Sequence, residues 1–262
     1  MKQEPCQAQP YERKPAVLVL FNCSCNSGQR PFAEAARTED RIISFVRHSL
    51  MVLIRSNLKE IEDMLSEQIP YRTSSLLVVD VQRGFTELCP AELPVPGGLE
   101  IVPHVNRLLE MPWARIDASQ DWHPPDHCSF LGCRDNLYPP HCIMGTPGAD
   151  FLPGLQTERF QTVWRKGYNR DFEAYALTAQ HPAFAAFLRA CGVATVVVCG
   201  IATNICCYFV ARDLRRAGFR VLLVEDASAG IDVPAADSFQ ARTKEEGLSM
   251  GIEYVTVEEI QD

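Results

Sequence analysis

The chain is short of positive charge. Its 25 Lys and Arg stand against 33 Asp and Glu, a formal charge of −8 at pH 7. Phosphate backbones need a basic face, so no nucleic-acid partner is expected. The one basic cluster, RDLRR at 212–216, reads as the wet face of a helix. Long apolar runs are also missing. The first, AVLVLF, is too short for a signal peptide or a span, and MKQEPC has no basic n-region, so neither a targeting segment nor a membrane partner is expected. Nor is there a paired CxxC framework. Eleven cysteines at irregular spacings do not make the disulfide grid of a small secreted domain. The chain reads as a reducing, cytoplasmic protein in which most thiols, Cys191 and Cys199 among them, serve as small core residues.

Apolar substance is plentiful: 47% of 262 residues, enough for one large domain or a domain with an extension. From residue 75 onward, apolar runs alternate with amphipathic stretches. SLLVVDV (75–81), ARIDAS (114–119), TVWRK (162–166), TVVVCG (195–200), FRVLLVED (219–226) and IEYVTV (252–257) read as strands. LEIVPHVNRLLE (99–110), PAFAAFLRACG (182–192) and ICCYFVARDLRRAG (205–218) read as helices. Near-continuous Val/Leu strands separated by helices predict an α/β fold, a mostly parallel sheet with helices on both faces. Sites in such sheets form at the carboxyl ends of strands.

Residues 1–70 lack this rhythm and read as an N-terminal extension to a domain over 71–262. Within it, Ile43, Val46, Leu50, Leu53, Leu58, Ile61 and Leu65 recur at helical spacing. Thr38 can cap the start of an amphipathic helix over 38–66. Its apolar stripe must pack on something: the main domain, another copy in a homo-oligomer, or a separate protein.

Three polar residues stand at strand ends: Asp80 in LLVVDV, Lys166 after TVWR, and Cys206 just past VVVCG. Singly, they also read as a loop cap, an exposed lysine and a packing cysteine. Together they can be a base, a cation and a nucleophile, with the N-terminus of the 205–218 helix, capped by Thr203 or Asn204, favouring a thiolate. A second cluster lies in QDWHPPDHCSF and DNLYPPHCIMGTPGADF, where Asp121, His123, Asp126, His127, Cys128, Cys133, His141 and Cys142 are potential ligands. One Asp with two His suits an open catalytic site for Zn²⁺, Mn²⁺ or Fe²⁺. A closed structural zinc site on Cys128, Cys133, His127 and His141, or a proline-braced loop with turn-capping histidines, are the alternatives.

LLVVDVQRGF, LPVPGG, SQDWHPPDHCSF, YPPHCIMGTPGADF, VWRKG and GIATNICC occur in the order and approximate spacing of nicotinamidases, within the isochorismatase-like hydrolases, which the chain resembles from about Leu76 onward. The pairing of QDWHP with PPHC-x-x-GTPGA is the discriminating part. The resemblance implies Asp80 as base, Lys166 as thiolate partner and Cys206 as nucleophile. It implies one divalent ion, zinc foremost, on Asp121, His123 and His141. Phe85 and Tyr138 would contact the substrate ring, and the backbone N–H groups of Ala202 and Cys206 would form an oxyanion hole beside a cis peptide at Ile201–Ala202. The activity implied is hydrolysis of nicotinamide to nicotinate and ammonia, in NAD salvage. The chain departs from the family pattern at Asn204, Ile205 and Tyr138, where relatives often carry Asp, Tyr and Trp.

Overall fold

A computed structural model describes residues 69–135, 137–232 and 239–261, together with Met51. The chain divides into two units, Met1–Ser66 and Glu67–Asp262. The helix expected over 38–66 falls, Met51 apart, outside the described residues, and every element named below belongs to the second unit.

Six strands form the sheet: β1 (Ser74–Val79), β2 (Arg115–Asp121), β3 (Thr162–Lys166), β4 (Thr195–Ile201), β5 (Arg220–Ala229) and β6 (Glu253–Val255). Their order is β3-β2-β1-β4-β5-β6 and every pairing is parallel. All of β1 and all of β4 are buried, because strands covered on both faces need apolar residues at consecutive positions rather than alternate ones. The helices are α1 (Val102–Leu109), α2 (Leu177–Gln180), α3 (Phe184–Ala190), α4 (Tyr208–Arg216), α5 (Phe239–Ser249) and α6 (Val257–Gln261). Chain steps from β1 and from β4 run in opposite directions across the sheet. Right-handed crossovers then put their helices on opposite faces: α1 packs with α6, and α4 packs with α2 and α5.

The reversal of direction lies between β1 and β4. It opens a crevice at their carboxyl ends, the place where such sheets bind ligands. Gly200 of β4 passes so close to Val79 of β1 that a Cβ there would overlap the Val79 carbonyl, and its φ of 126° suits only glycine. At the other margin, β3 pairs only with β2. Side chains add rungs to that ladder: Arg115 donates to Thr162 Oγ1 (2.6 Å), Trp164 Nε1 to Asp117 Oδ1 (3.3 Å) and Arg165 Nε to Gln120 Oε1 (3.2 Å).

Several boundaries differ from the sequence expectation. The helix expected over 205–218 opens as a wider π turn, Thr203–Cys207, before α4 begins. Neither Thr203 nor Asn204 caps it; the residue before the turn is Ala202, and no side chain caps the end. IEYVTV yields only three strand residues, because Val257 already starts α6. Helix α5 gave no sequence signal: it buries Thr243 and Gly247, not an apolar stripe. Cys199 is buried, but Cys191 is exposed, standing past the buried face of α3 at its carboxyl end.

Candidate active site

Four neighbouring strand ends deliver four charged or nucleophilic side chains to one crevice. Asp80 follows β1, Asp121 ends β2, Lys166 ends β3 and Cys206 lies in the π turn after β4. The β2–β3 register sets Asp121 directly beside Lys166. Asp80 sits at φ 49°, a left-handed kink that breaks the strand where its carboxyl turns inward. Its Oδ1 accepts a hydrogen bond from Ser119 Oγ at 2.7 Å.

Lys166 is the hub. Its Nζ lies 2.5 Å from Asp121 Oδ1, 2.9 Å from Asp80 Oδ2 and 3.5 Å from Cys206 Sγ. The side chain is 1% exposed, so an unpaired ammonium there would be prohibitive. Burial opposes its charge, but the Asp121 and Asp80 carboxylates outweigh it and hold its pKa well above the ordinary value. Burial likewise raises Asp80, Lys166 pulls it back, and the balance rests at about 6. For Asp121 the Lys166 and His123 charges overcome burial and keep it below the usual carboxylate range. Cys206 behaves otherwise than the sequence suggests. Burial first, and the two carboxylates after it, push its thiol well up, against the lowering effect of Lys166. Cys206 therefore rests as a thiol close to the Asp80 carboxyl rather than as a free thiolate. Donor atoms of Asp80, Asp121 and Cys206 all fall within 4.8 Å of one another.

The second donor group adjoins the first through Asp121. Asp121, His123 and His141 are buried, with donor atoms within 4.8 Å of one another. His123 Nδ1 meets the Gly167 carbonyl at 3.1 Å, and His141 Nδ1 meets the Pro139 carbonyl at 2.8 Å. Burial opposes charge on His123, but Asp121, whose Oδ2 lies 3.5 Å from its Nε2, outweighs it and raises its pKa. A carbonyl only accepts, so both Nδ1 atoms carry a proton and Nε2 is the atom each ring can offer a divalent ion. That is the tautomer a divalent ion needs, fixed by the outer hydrogen bond. Burial and the neighbouring His123 also lower His141 to about 4, so its ring is neutral near pH 7. One carboxylate and two such imidazoles fit Zn²⁺, Mn²⁺ or Fe²⁺. Gly167, at φ 72°, admits His123: any Cβ would strike its ring.

The other sequence candidates go elsewhere. His127 donates from Nε2 to the Phe172 carbonyl (3.2 Å) and meets Ser129 Oγ through Nδ1 (2.8 Å), which leaves no free lone pair. Asp126 pairs with Arg170 at the surface, and Arg134 pairs with Asp135. Among the described residues no ligand cluster contains Cys128 or Cys133, so the closed structural zinc site does not form.

One cleft joins both groups. Phe85, Tyr138 and Ala202 line it with Cys206. The Phe85 and Tyr138 rings stand 5.3 and 6.0 Å from the His141 ring. Cys206 faces the cleft, whereas Cys207 is fully buried behind it. The peptide Ile201–Ala202 is cis. The Ala202 carbonyl accepts the N–H groups of Ile205 and Cys207, the residues on either side of Cys206. Buried Asn204 exchanges two hydrogen bonds with the Ile231 backbone, 2.8 and 3.1 Å, and so holds Ile231 at the cleft wall. Leu93, Val95, Glu173, Tyr175, Ile205 and Ile231 also line the cleft, beyond the residues expected from the sequence. Glu173 and Tyr175 carry a usable signal, since they follow β3 by a short loop at the carboxyl edge of the sheet.

The isochorismatase domain family matches residues 74–258, and the chain belongs to that family. It is 32% identical to a nicotinamidase of Acinetobacter baylyi over 61% of this chain and 82% of that one. Among solved structures it is similar to a pyrazinamidase of Pyrococcus horikoshii in complex with zinc, with 36% identity, a TM-score of 0.61 and coverage of 70% of this chain and 99% of that one. It is also similar to PnC1 of L. infantum in complex with nicotinate, with 31% identity, a TM-score of 0.67 and coverage of 73% and 96%.

Proposed function

We propose that the protein is a nicotinamide amidohydrolase, converting nicotinamide and water to nicotinate and ammonia. The observation that carries this is the sharing of Asp121 between two groups in one cleft: a thiol with its base and ammonium, and an Asp–His–His set with aromatic walls. Asp80 takes the thiol proton as Cys206 Sγ attacks the carboxamide carbon, and Lys166 keeps the developing sulfur and carboxylate charges compensated. The backbone N–H groups of Ala202 and Cys206 receive the carbonyl oxygen as it gains charge. The C–N bond then breaks, Asp80 returns its proton to the leaving ammonia, and water hydrolyses the thioester with Asp80 again the base. Asp121, His123 and His141 would hold one divalent ion, zinc foremost, which when bound supplies a Lewis acid and template for the ring nitrogen. Phe85 and Tyr138 orient the ring. Residues 71–262 act as the hydrolase domain, with 1–70 as an extension, in a cytoplasmic chain serving NAD salvage; no helix among the described residues is long and apolar enough to cross a membrane.

Pyrazinamide is the second reading, favoured by the similarity to a pyrazinamidase. Ammonia release from nicotinamide, pyrazinamide and an aliphatic ureido compound, before and after chelation, tests both. Metal-dependent release from nicotinamide is expected; release only from the ureido compound would sink the assignment.

A further inference from the structure

The reaction proposed above changes the charge of its ligand. A neutral carboxamide enters and an anionic carboxylate leaves. The groups around the reacting carbon favour the anion: Lys166 is a fixed cation, and a divalent ion on Asp121, His123 and His141 would add two positive charges. Asp80 and Asp121 offset these incompletely, leaving one positive charge in the loaded cleft. Such a site would hold its product better than its substrate.

Glu173 lines the same cleft and neither donor group uses it. Its Oε1 accepts the backbone N–H of buried Ala174 at 2.8 Å, which fixes the direction of the side chain. No basic side chain forms an ion pair with it among the described residues. It shares the cleft wall with His123 on the metal side and with Tyr138 and Tyr175 on the ring side, and its charge favours the protonated form of each. A carboxylate placed so cancels the surplus positive charge without touching the nucleophile.

We propose that Glu173 is a specificity residue that discriminates between the neutral carboxamide and the carboxylate made from it, disfavouring acids as ligands and hastening product release. The proposal rests on the amidohydrolase reading and adds the residue that sets its charge preference. Glu173→Gln removes the charge but keeps an oxygen to accept the Ala174 N–H; Glu173→Asp restores the charge.

The test uses the full-length, metal-loaded chain carrying Cys206→Ser, so that both ligands can be titrated at equilibrium. Nicotinamide and nicotinate are measured by calorimetry with and without the Glu173 substitutions. Glu173→Gln is expected to tighten nicotinate binding on the order of tenfold and to change nicotinamide binding less than about threefold, with Glu173→Asp close to the parent. In the otherwise unaltered enzyme, the same Glu173→Gln change should lower the product-inhibition constant of nicotinate by a similar factor. A parent that binds both ligands, with an acid-to-amide ratio unmoved by Glu173→Gln, overturns the role of Glu173 alone. A parent that binds neither overturns the substrate reading and this proposal with it.

Discussion

The two donor groups of the cleft are built differently. Asp80, Lys166 and Cys206 come from strand ends or the turn that follows one, and mutual charge in a dry setting sets their states. His123, His141 and Tyr138 come from the loops after β2, and hydrogen bonds to backbone carbonyls orient the histidines. The first group is a set of coupled charges, so deleting one member redistributes the protons of the rest. The second is a set of oriented lone pairs, so deleting one member removes a ligand and leaves the others in place. Asp121 alone belongs to both.

The sharpest break in the comparison is Cys206→Ala. Turnover should fall at least about 10⁴-fold, as expected when a nucleophile is lost, while metal content by mass spectrometry stays at the parent level. Metal lost along with the thiol would mean that the two groups are one. His141→Ala should do the reverse, weakening metal retention by about 100-fold or more, with Cys206 still open to alkylation. Cys128→Ala and Cys133→Ala should retain metal, and loss of metal in Cys133→Ala would restore the structural-zinc alternative.

Acid should sharpen the contrast. Asp80 must be ionised to accept the thiol proton, and burial raises its pKa to about 6. Above that value the base is ready; below it the carboxyl is already protonated, so kcat/KM should drop about tenfold per pH unit. A profile flat down to pH 4.5 would remove Asp80 from this role.

Two smaller effects concern the turn that carries Cys206. Asn204→Asp replaces the donor that meets the Ile231 carbonyl with a second acceptor. A cost of about 1–3 kcal/mol in denaturant unfolding is expected. Cys207→Ala should cost only about 1 kcal/mol, the size of a small buried group, and keep most activity. A large loss of turnover with Cys207→Ala would exchange the roles of the two cysteines.

What could be read from the sequence follows the same division. The Val/Leu runs of β1 and β4 announce a doubly covered parallel sheet, and strand-end placement singles out Asp80, Lys166 and Cys206, which the fold brings together. The loops offered composition without geometry. Nothing in QDWHPPDHCSF says that His127 spends both nitrogens on Ser129 and Phe172 while His123 turns Nε2 toward Asp121, because Phe172 lies 45 residues away. Glu173 and Ile231 reach the cleft through loops without periodicity, and the Asn204–Ile231 clamp spans 27 residues. No residue pattern marks the π turn, since its residues also suit an ordinary helix start; only the backbone distinguishes them.

The cation of the site is the last residue of a marginal strand. β3 has a neighbour on one side only, and a slip of one residue would turn Lys166 to the opposite face of the sheet. The Arg115–Thr162, Trp164–Asp117 and Arg165–Gln120 rungs therefore act as registration pins for the chemistry as well as fasteners for the fold. Edge elements open before cores do. On warming, the enzyme should fall silent while its sheet still stands, and the amide protons of β3 should exchange on the same clock as the lost activity.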